Sequence, residues 1–336
     1  MIRRFAQLCF TALPAAVTMA VVPARAAKPA TTAPVFVIVN GAAGEEQYGQ
    51  VFTRQMAAWE KAAAAAGARA IVVGRDSPGP AADRTLLEQA LAAEPRDGNH
   101  PLWLVLIGHG TFDKREARFN LRGDDVTATD LAAWLQPIQR PLAVINTTSA
   151  SAPFVAKLSA PGRIVITATR SGNERNYTRF GASLAGALDD PAADLDQDGQ
   201  TSLLEAFLAA SAKVVEFYKT EGRLATEHAL IDDNGDGLGT PAAWFRGLRA
   251  TKKPRDAAAL DGTRAHQWTL TPDPDDAARS PEWRARRDAL ETSIAALRDT
   301  KADIPAADYY RQLEALLLDL AKHYESASGA AAAKGR

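Results

Sequence analysis

The sequence predicts an α/β protein, a doubly wound and mainly parallel sheet followed by a C-terminal α-helical hairpin. Three observations carry this. Short continuous apolar runs recur between stretches of helical periodicity, and each run ends in glycine, asparagine or small polar residues. Fully apolar runs of this length suit strands buried on both faces, as parallel strands are. Near the C-terminus the pattern changes to two long helical segments with no strand between them.

In chain order, Val35–Val39 reads as the first strand, ending at Asn40-Gly41, and a helix follows over roughly Glu46 to Ala66. Ala70–Val73 is the second strand and Ala82–Ala93 the next helix. Leu102–Ile107 is a third run, ending at Gly108-His109-Gly110, and Phe119–Leu121 opens a small hairpin. Thr129–Leu135 reads as a helix capped by Thr127 or Thr129, and Leu142–Ile145 is a strand ending in Asn146-Thr147-Thr148-Ser149. Phe154–Leu158 is helical and Arg163–Thr167 is the fifth strand. In such sheets the ligand crevice lies beyond the carboxyl ends of the strands. If the third and fourth strands are neighbours, His109 and Thr148 face one crevice.

Residues 1–26 have the form of a secretory signal: Arg3 and Arg4, an apolar run from Phe5 to Val22, and Ala24-Arg25-Ala26 as a small-residue cleavage site. The expected location is therefore periplasmic or secreted. No later run approaches the ~18 apolar residues a bilayer span needs. The one cysteine, Cys9, lies inside this segment, so the exported chain is expected to have no disulfide, cysteine metal site or thiol nucleophile. Removing the segment leaves 36 basic against 40 acidic residues. That balance gives no electrostatic footprint for nucleic acid.

DLDQDGQTSLLE, residues 194–205, matches the EF-hand calcium loop at every fixed position. Asp194, Asp196 and Asp198 take positions 1, 3 and 5, and Gly199 takes the sharp turn at 6. Gln200 offers its carbonyl at 7, Ser202 ligates at 9 directly or through water, and Glu205 is the bidentate ligand at 12. Helices expected over Phe180–Leu188 and Leu203–Tyr218 flank the loop. Calcium is the expected cofactor, in a structural role. A second stretch, IDDNGDGLGTP (231–241), places Asp232, Asn234 and Asp236 in the same early spacing, but position 12 falls on Ala243. It reads as half a calcium loop or as a turn-rich surface loop.

The two strand ends together resemble the caspase–legumain–gingipain group of cysteine peptidases, in which an apolar strand ends in His-Gly and the next core strand ends in the catalytic cysteine. The matching stretches are LVLIGHG (104–110) and VINTTSAS (144–151), and ITATRSGNERNYTRFG (166–181) is similar to the legumain segment after the next strand. The resemblance implies a caspase-haemoglobinase fold, His109 at the acid/base position and Gly110 as an oxyanion donor. It places cysteine where Thr148 stands, with Ser149 the alternative if the register is shifted by one. A hydroxyl is far less acidic than a thiol and needs a base within hydrogen-bond reach. The expectation is thus a peptidase homologue that binds a peptide or protein partner without cleaving it. The alternative is a peptidase using Thr148, Ser149 or Ser151 as nucleophile, with Asp113, Asp124 or Asp125 orienting His109. Arg170, Arg175 and Arg179 lie where they can meet a carboxylate or remain ordinary surface cations.

The domain expectation is a caspase/legumain-like unit over 27–250, a linker over 251–280, a helical hairpin over 281–325 and a disordered tail over 326–336. Ser280-Pro281 starts the first hairpin helix, with Trp283, Leu290, Ile294 and Leu297 along one side. Pro305 starts the second, with Tyr309, Leu313, Leu316, Leu317, Leu320 and Tyr324. The hairpin packs on the main domain or forms a homodimer or scaffold surface.

Overall fold

The computed structural model describes residues 33–75, 82–257, 259–271, 276 and 278–334. The signal segment and Cys9 lie outside these residues.

Seven strands form the central sheet. In chain order they are β1 (Val35–Asn40), β2 (Arg69–Val73), β3 (Leu102–Ile107), β7 (Leu142–Asn146), β8 (Arg163–Thr167), β10 (Leu230–Asp232) and β11 (Thr240–Pro241). Their spatial order is β11-β10-β8-β7-β3-β1-β2. The five strands from β8 to β2 are parallel, and β10 and β11 extend the edge antiparallel. This is the doubly wound, mainly parallel α/β architecture that the alternating apolar runs call for.

Each face of the sheet carries its own core. One is built on α1 (Glu46–Ala65), α5 (Phe180–Ala187) and α6 (Leu203–Thr220), with Phe52, Trp59, Leu184 and Phe207 against alternate strand residues such as Trp103 and Ile145. The other uses α2 (Asp83–Ala92), α3 (Ala128–Leu135) and α4 (Pro153–Leu158), with Leu87, Leu131 and Phe154 against Leu104 and Val144. All of Leu102–Ile107 is buried, because β3 has strands on both sides and helices on both faces. Thr127 caps α3 through a capping box with Asp130. The hairpin expected near Phe119 is a three-stranded antiparallel sheet, β4 (Gly110–Phe112), β5 (Ala117–Phe119) and β6 (Val126–Thr127), set directly after the His109 turn.

Two boundaries differ from the sequence reading. The stretch 251–280 is docked structure as well as connection. It contains α7 (Thr263–His266) and β14 (Thr269–Thr271), and β14 pairs antiparallel with β9 (Thr201–Ser202) inside the acidic loop. Its polar composition hid this, because the anchor is a hydrogen-bonding carboxylate, Asp261, itself buried. At the C-terminus the hairpin helices are α8 (Pro281–Asp299) and α9 (Ala306–Lys334). The backbone of α9 runs past Ser326, where a disordered tail was expected, because alanine is the strongest helix former. Ser280 caps α8, its Oγ accepting from the Trp283 N–H, and Trp283 stacks on His323 at 4.5 Å to close the hairpin. No helix among the described residues is long and apolar enough to cross a membrane.

Candidate functional site

β3 and β7 are neighbours in register, so their carboxyl ends share one edge. The approach there is close. A Cβ on Gly110 would stand 2.3 Å from the Ser149 carbonyl oxygen and 2.6 Å from Thr148 Oγ1, so only glycine fits.

The hydroxyls of residues 147–151 are all engaged locally. Thr147 Oγ1 donates to the Leu106 carbonyl at 2.9 Å. Thr148 is fully buried, and its Oγ1 donates to Asn146 Oδ1 at 2.7 Å. Ser149 Oγ donates to the Gly110 carbonyl at 3.0 Å and accepts the Gly110 N–H at 3.3 Å. Ser151 Oγ lies 3.2 Å from Thr169 Oγ1 and accepts the Ala168 N–H. The Gly110 N–H that would serve as an oxyanion donor is therefore spent on Ser149.

Ala150, also buried, has φ of +53°. For alanine this left-handed conformation costs ~1–2 kcal/mol. It is held by a hydrogen bond from its N–H to the Glu174 carbonyl at 2.8 Å.

His109 is half-buried and turned toward aromatic neighbours. Its Nε2 lies 3.1 Å from the Ala43 carbonyl, which can only accept, so Nε2 carries the proton. Its ring meets Tyr48 edge-on at 4.9 Å and Phe52 at 5.2 Å. Among the described residues no hydrogen bond joins His109 to Thr148, Ser149 or Ser151. Two of the three aspartates considered as its orienting acid, Asp113 and Asp125, have other work. Asp113 accepts from the Arg115 and Glu116 N–H groups and pairs with Arg118, while Asp125 accepts from Asn120 and the Leu121 N–H. Arg170 pairs with Glu174, Arg175 is exposed, and Arg179 borders a groove beside α1.

The acidic loop 194–205 joins α5 to α6. Asp194 accepts the Asp198 and Gly199 N–H groups, and Asp198 accepts the Gln200 N–H. Gly199 turns at φ +86°. Carboxylate oxygens of Asp194, Asp196 and Asp198 lie within 4.8 Å of one another. Glu205 is buried and forms a capping box with Ser202 at the start of α6. Its oxygens accept four donors: the N–H groups of Leu195, Asp196 and Ser202, and the Ser202 hydroxyl. A cation at position 12 can gain this carboxylate only by displacing one of them, and the Asp196 N–H, at 3.3 Å, is the longest. Burial, with the charges of Asp196, Glu205 and Asp194, raises the Asp198 carboxyl above its ordinary range. The donors within the loop itself are hard oxygens, which suit Ca2+.

Spacing gave no sign of His266. It reaches the loop from α7, with Nε2 3.1 Å from Asp196 Oδ2, and groups with Asp196 and Glu205.

The second loop repeats the early turn chemistry. Asp232 accepts the Gly235 and Gly237 N–H groups, Asn234 accepts from Asp236, and Asp236 accepts from Leu238. Beneath it lies a buried pair that sequence reasoning missed. Asp233 accepts the Gly262 and Ala265 N–H groups, while Asp261 accepts from Asp233 N–H, Asn234 N–H and the Thr240 hydroxyl. Burial first, then the neighbouring Asp233 charge, pushes the Asp261 carboxyl up to about 8.

No protein-family model matches the chain, and no curated protein matches it. Among solved structures, the Drosophila initiator caspase Dronc aligns with a TM-score of 0.35 and 13% identity, covering 60% of this chain and 80% of that one.

Proposed function

We propose that the chain is an exported, calcium-binding, legumain-like member of the caspase-type peptidase homologues, and that it binds a peptide or protein partner without cleaving it. The observation that carries this reading is the bonding at the two strand ends. Thr148 is buried and bonded to Asn146, Ser149 is buried and bonded to the Gly110 backbone, and His109 is held by the Ala43 carbonyl. A hydroxyl nucleophile needs a base within ~2.6–3.2 Å, and Ser149 already uses both Gly110 backbone groups.

Calcium is proposed for 194–205 on the match of donor types to loop positions and on the crowding of carboxylates that a cation relieves. Its role is structural: it joins α5 to α6 and, through β9 and β14, holds the 259–271 segment to the main sheet domain. Export to the periplasm or beyond rests on the character of residues 1–26. A scaffold or homodimer role for the hairpin is favoured by one observation: Tyr310, Leu317 and Tyr324 recur at seven-residue spacing on α9 and stay exposed, with Leu318 beside them.

The deciding experiment incubates the chain lacking residues 1–26 with a mixed peptide library, with and without calcium, beside Thr148→Ala, Ser149→Ala and Thr148→Cys. The expected result is no cleavage by the unsubstituted protein. Cleavage abolished by Thr148→Ala or Ser149→Ala sinks the non-catalytic reading. Activity gained in Thr148→Cys supports the register of the resemblance.

A further inference from the structure

Helix α9 is apolar on two sides, and α8 packs on one of them. Tyr309, Leu313, Leu316, Leu320 and His323 follow the i, i+4, i+7 rhythm of a single helix stripe and are buried or half-buried. His323 marks where this stripe meets α8, with its Nε2 2.9 Å from the Trp283 carbonyl. About a quarter turn further round the helix, Tyr310, Leu317 and Leu318 stand 56%, 48% and 52% exposed. An open depression of about 460 Å³ lies against them, lined also by Leu313 and Glu314. Tyr310, Leu317 and Tyr324 keep the seven-residue spacing of a helix-pairing seam.

The charges around this second stripe identify what fits it. Arg311, Glu314, Lys322 and Glu325 border it, and all are exposed. Counted from Leu318, Arg311 stands seven positions before and Glu325 seven after, while Glu314 and Lys322 stand four before and four after. Reading the helix backwards therefore exchanges each of these charges for its opposite. A second copy laid antiparallel, with Leu318 at the two-fold axis, sets Arg311 of each copy level with Glu325 of the other, and Glu314 level with Lys322. A parallel copy sets each charge level with itself, which repels. The present partners of the two cations are local and exposed: Arg311 meets Asp308 at 2.6 Å and Lys322 meets Asp319 at 3.9 Å. Exposed pairs of this kind hold weakly. Among the described residues Glu314 and Glu325 form no ion pair. Ala321, exposed one turn beyond Leu317, is small enough to let two helices approach.

We infer that a second copy of this chain docks on α9, antiparallel about a two-fold axis at Leu318, so that Leu317 and Leu318 of each copy fill the depression on the other. The Arg311–Glu325 and Glu314–Lys322 pairs then form twice, once on each side of the axis. In such an isologous contact residue i meets j and j meets i, and assembly closes at the dimer. The inference rests on the homodimer reading of the hairpin and gives it a face, a direction and a register.

Cys9 is the only cysteine, so the chain lacking residues 1–26 has none and accepts single cysteines without background. Leu318→Cys should cross-link to its own copy through a short bismaleimide. Arg311→Cys and Glu325→Cys should each stay uncross-linked alone, because two copies of either position lie fourteen helix steps, ~21 Å, apart in an antiparallel pair. Mixed, they should cross-link to each other. Ser293→Cys, exposed on α8, is the control for chance collision. In sedimentation equilibrium, Arg311→Glu should weaken the dimer about ten-fold, and Arg311→Glu with Glu325→Arg should restore it. Unchanged thermal melting of each variant separates lost pairing from lost folding. Self-cross-linking of Arg311→Cys, or none by Leu318→Cys in a protein that sediments as a dimer, overturns the inference and leaves a homodimer of another arrangement. A double variant no tighter than Arg311→Glu also overturns it. A monomer at every concentration overturns it together with the homodimer reading, and leaves the calcium and peptide-partner readings untouched.

Discussion

Asp198→Asn should move the stability of this protein in opposite directions with and without calcium. Without the ion, Asp198 is crowded by Asp194, Asp196 and Glu205, and its carboxyl is raised by burial and by those charges. Replacing it with a neutral isostere removes repulsion, so the calcium-free protein should melt slightly higher. With calcium, the loop loses the charge of its fifth-position ligand. Extracellular-type loops bind at ~10⁻⁴–10⁻³ M, so 10 mM calcium adds about 1.4–2.7 kcal/mol by mass action. For a domain of this size that corresponds to about 3–10 °C in Tm. A ten-fold weaker variant keeps at most about 1.4 kcal/mol. Tryptophan fluorescence during a thermal ramp is a suitable probe, because Trp268 accepts the Leu203 N–H at the loop's exit and packs on Trp103 at 4.9 Å. Magnesium at equal ionic strength is the control. Equal calcium increments in wild type and Asp198→Asn, or an equal increment from magnesium, would refute calcium binding at this loop.

Two further outcomes are expected. The folded state holds a proton on the Asp233–Asp261 pair that the unfolded chain releases near pH 4; stability should therefore fall as pH rises from about 4 through about 8 and level off above that. Asp261→Asn should flatten the slope in urea melts taken across that range, and an unchanged slope would assign the proton elsewhere. If α9 is a homodimer face, sedimentation equilibrium should show a dimer that Leu317→Glu disperses, and a monomer at every concentration would remove the hairpin from the list of interfaces.

The sheet was legible because its signal is local. Leu102–Ile107 and Arg163–Thr167 are apolar runs with turn residues at their ends, and burial on both faces is what such runs encode. The antiparallel edge was not legible. Leu230–Asp232 is three residues long and ends in an acid, and only its pairing with Arg163–Thr167 makes it a strand. The stretch 251–280 misled for a related reason. Its hold on the domain is Asp261 receiving two N–H groups and a hydroxyl from residues more than twenty positions away, which composition reads as solvated charge. At the candidate site, the sharing of one edge by Gly110 and Thr148 followed from strand order. The rotation of His109 into Tyr48 and Phe52 did not, since it is set by packing between α1 and the β3 turn.

The strained turn at Ala150 bears on what the strand ends do. Positive φ at a buried alanine persists only where surrounding contacts over-determine it, and here they converge on Glu174. Its carbonyl takes the Ala150 N–H, and its carboxylate takes the Arg170 and His228 N–H groups as well as the His228 ring. One residue thus ties the 147–151 loop to the segment after β8 and to the approach to β10. The hydroxyls add the second half of the joint, since Thr147 reaches the Leu106 carbonyl and Ser149 grips both backbone groups of Gly110. Each of those bonds crosses from the end of β7 to the end of β3. These side chains hold neighbouring strand ends together. The strain at Ala150 is thus held within a joint between the ends of β7 and β3.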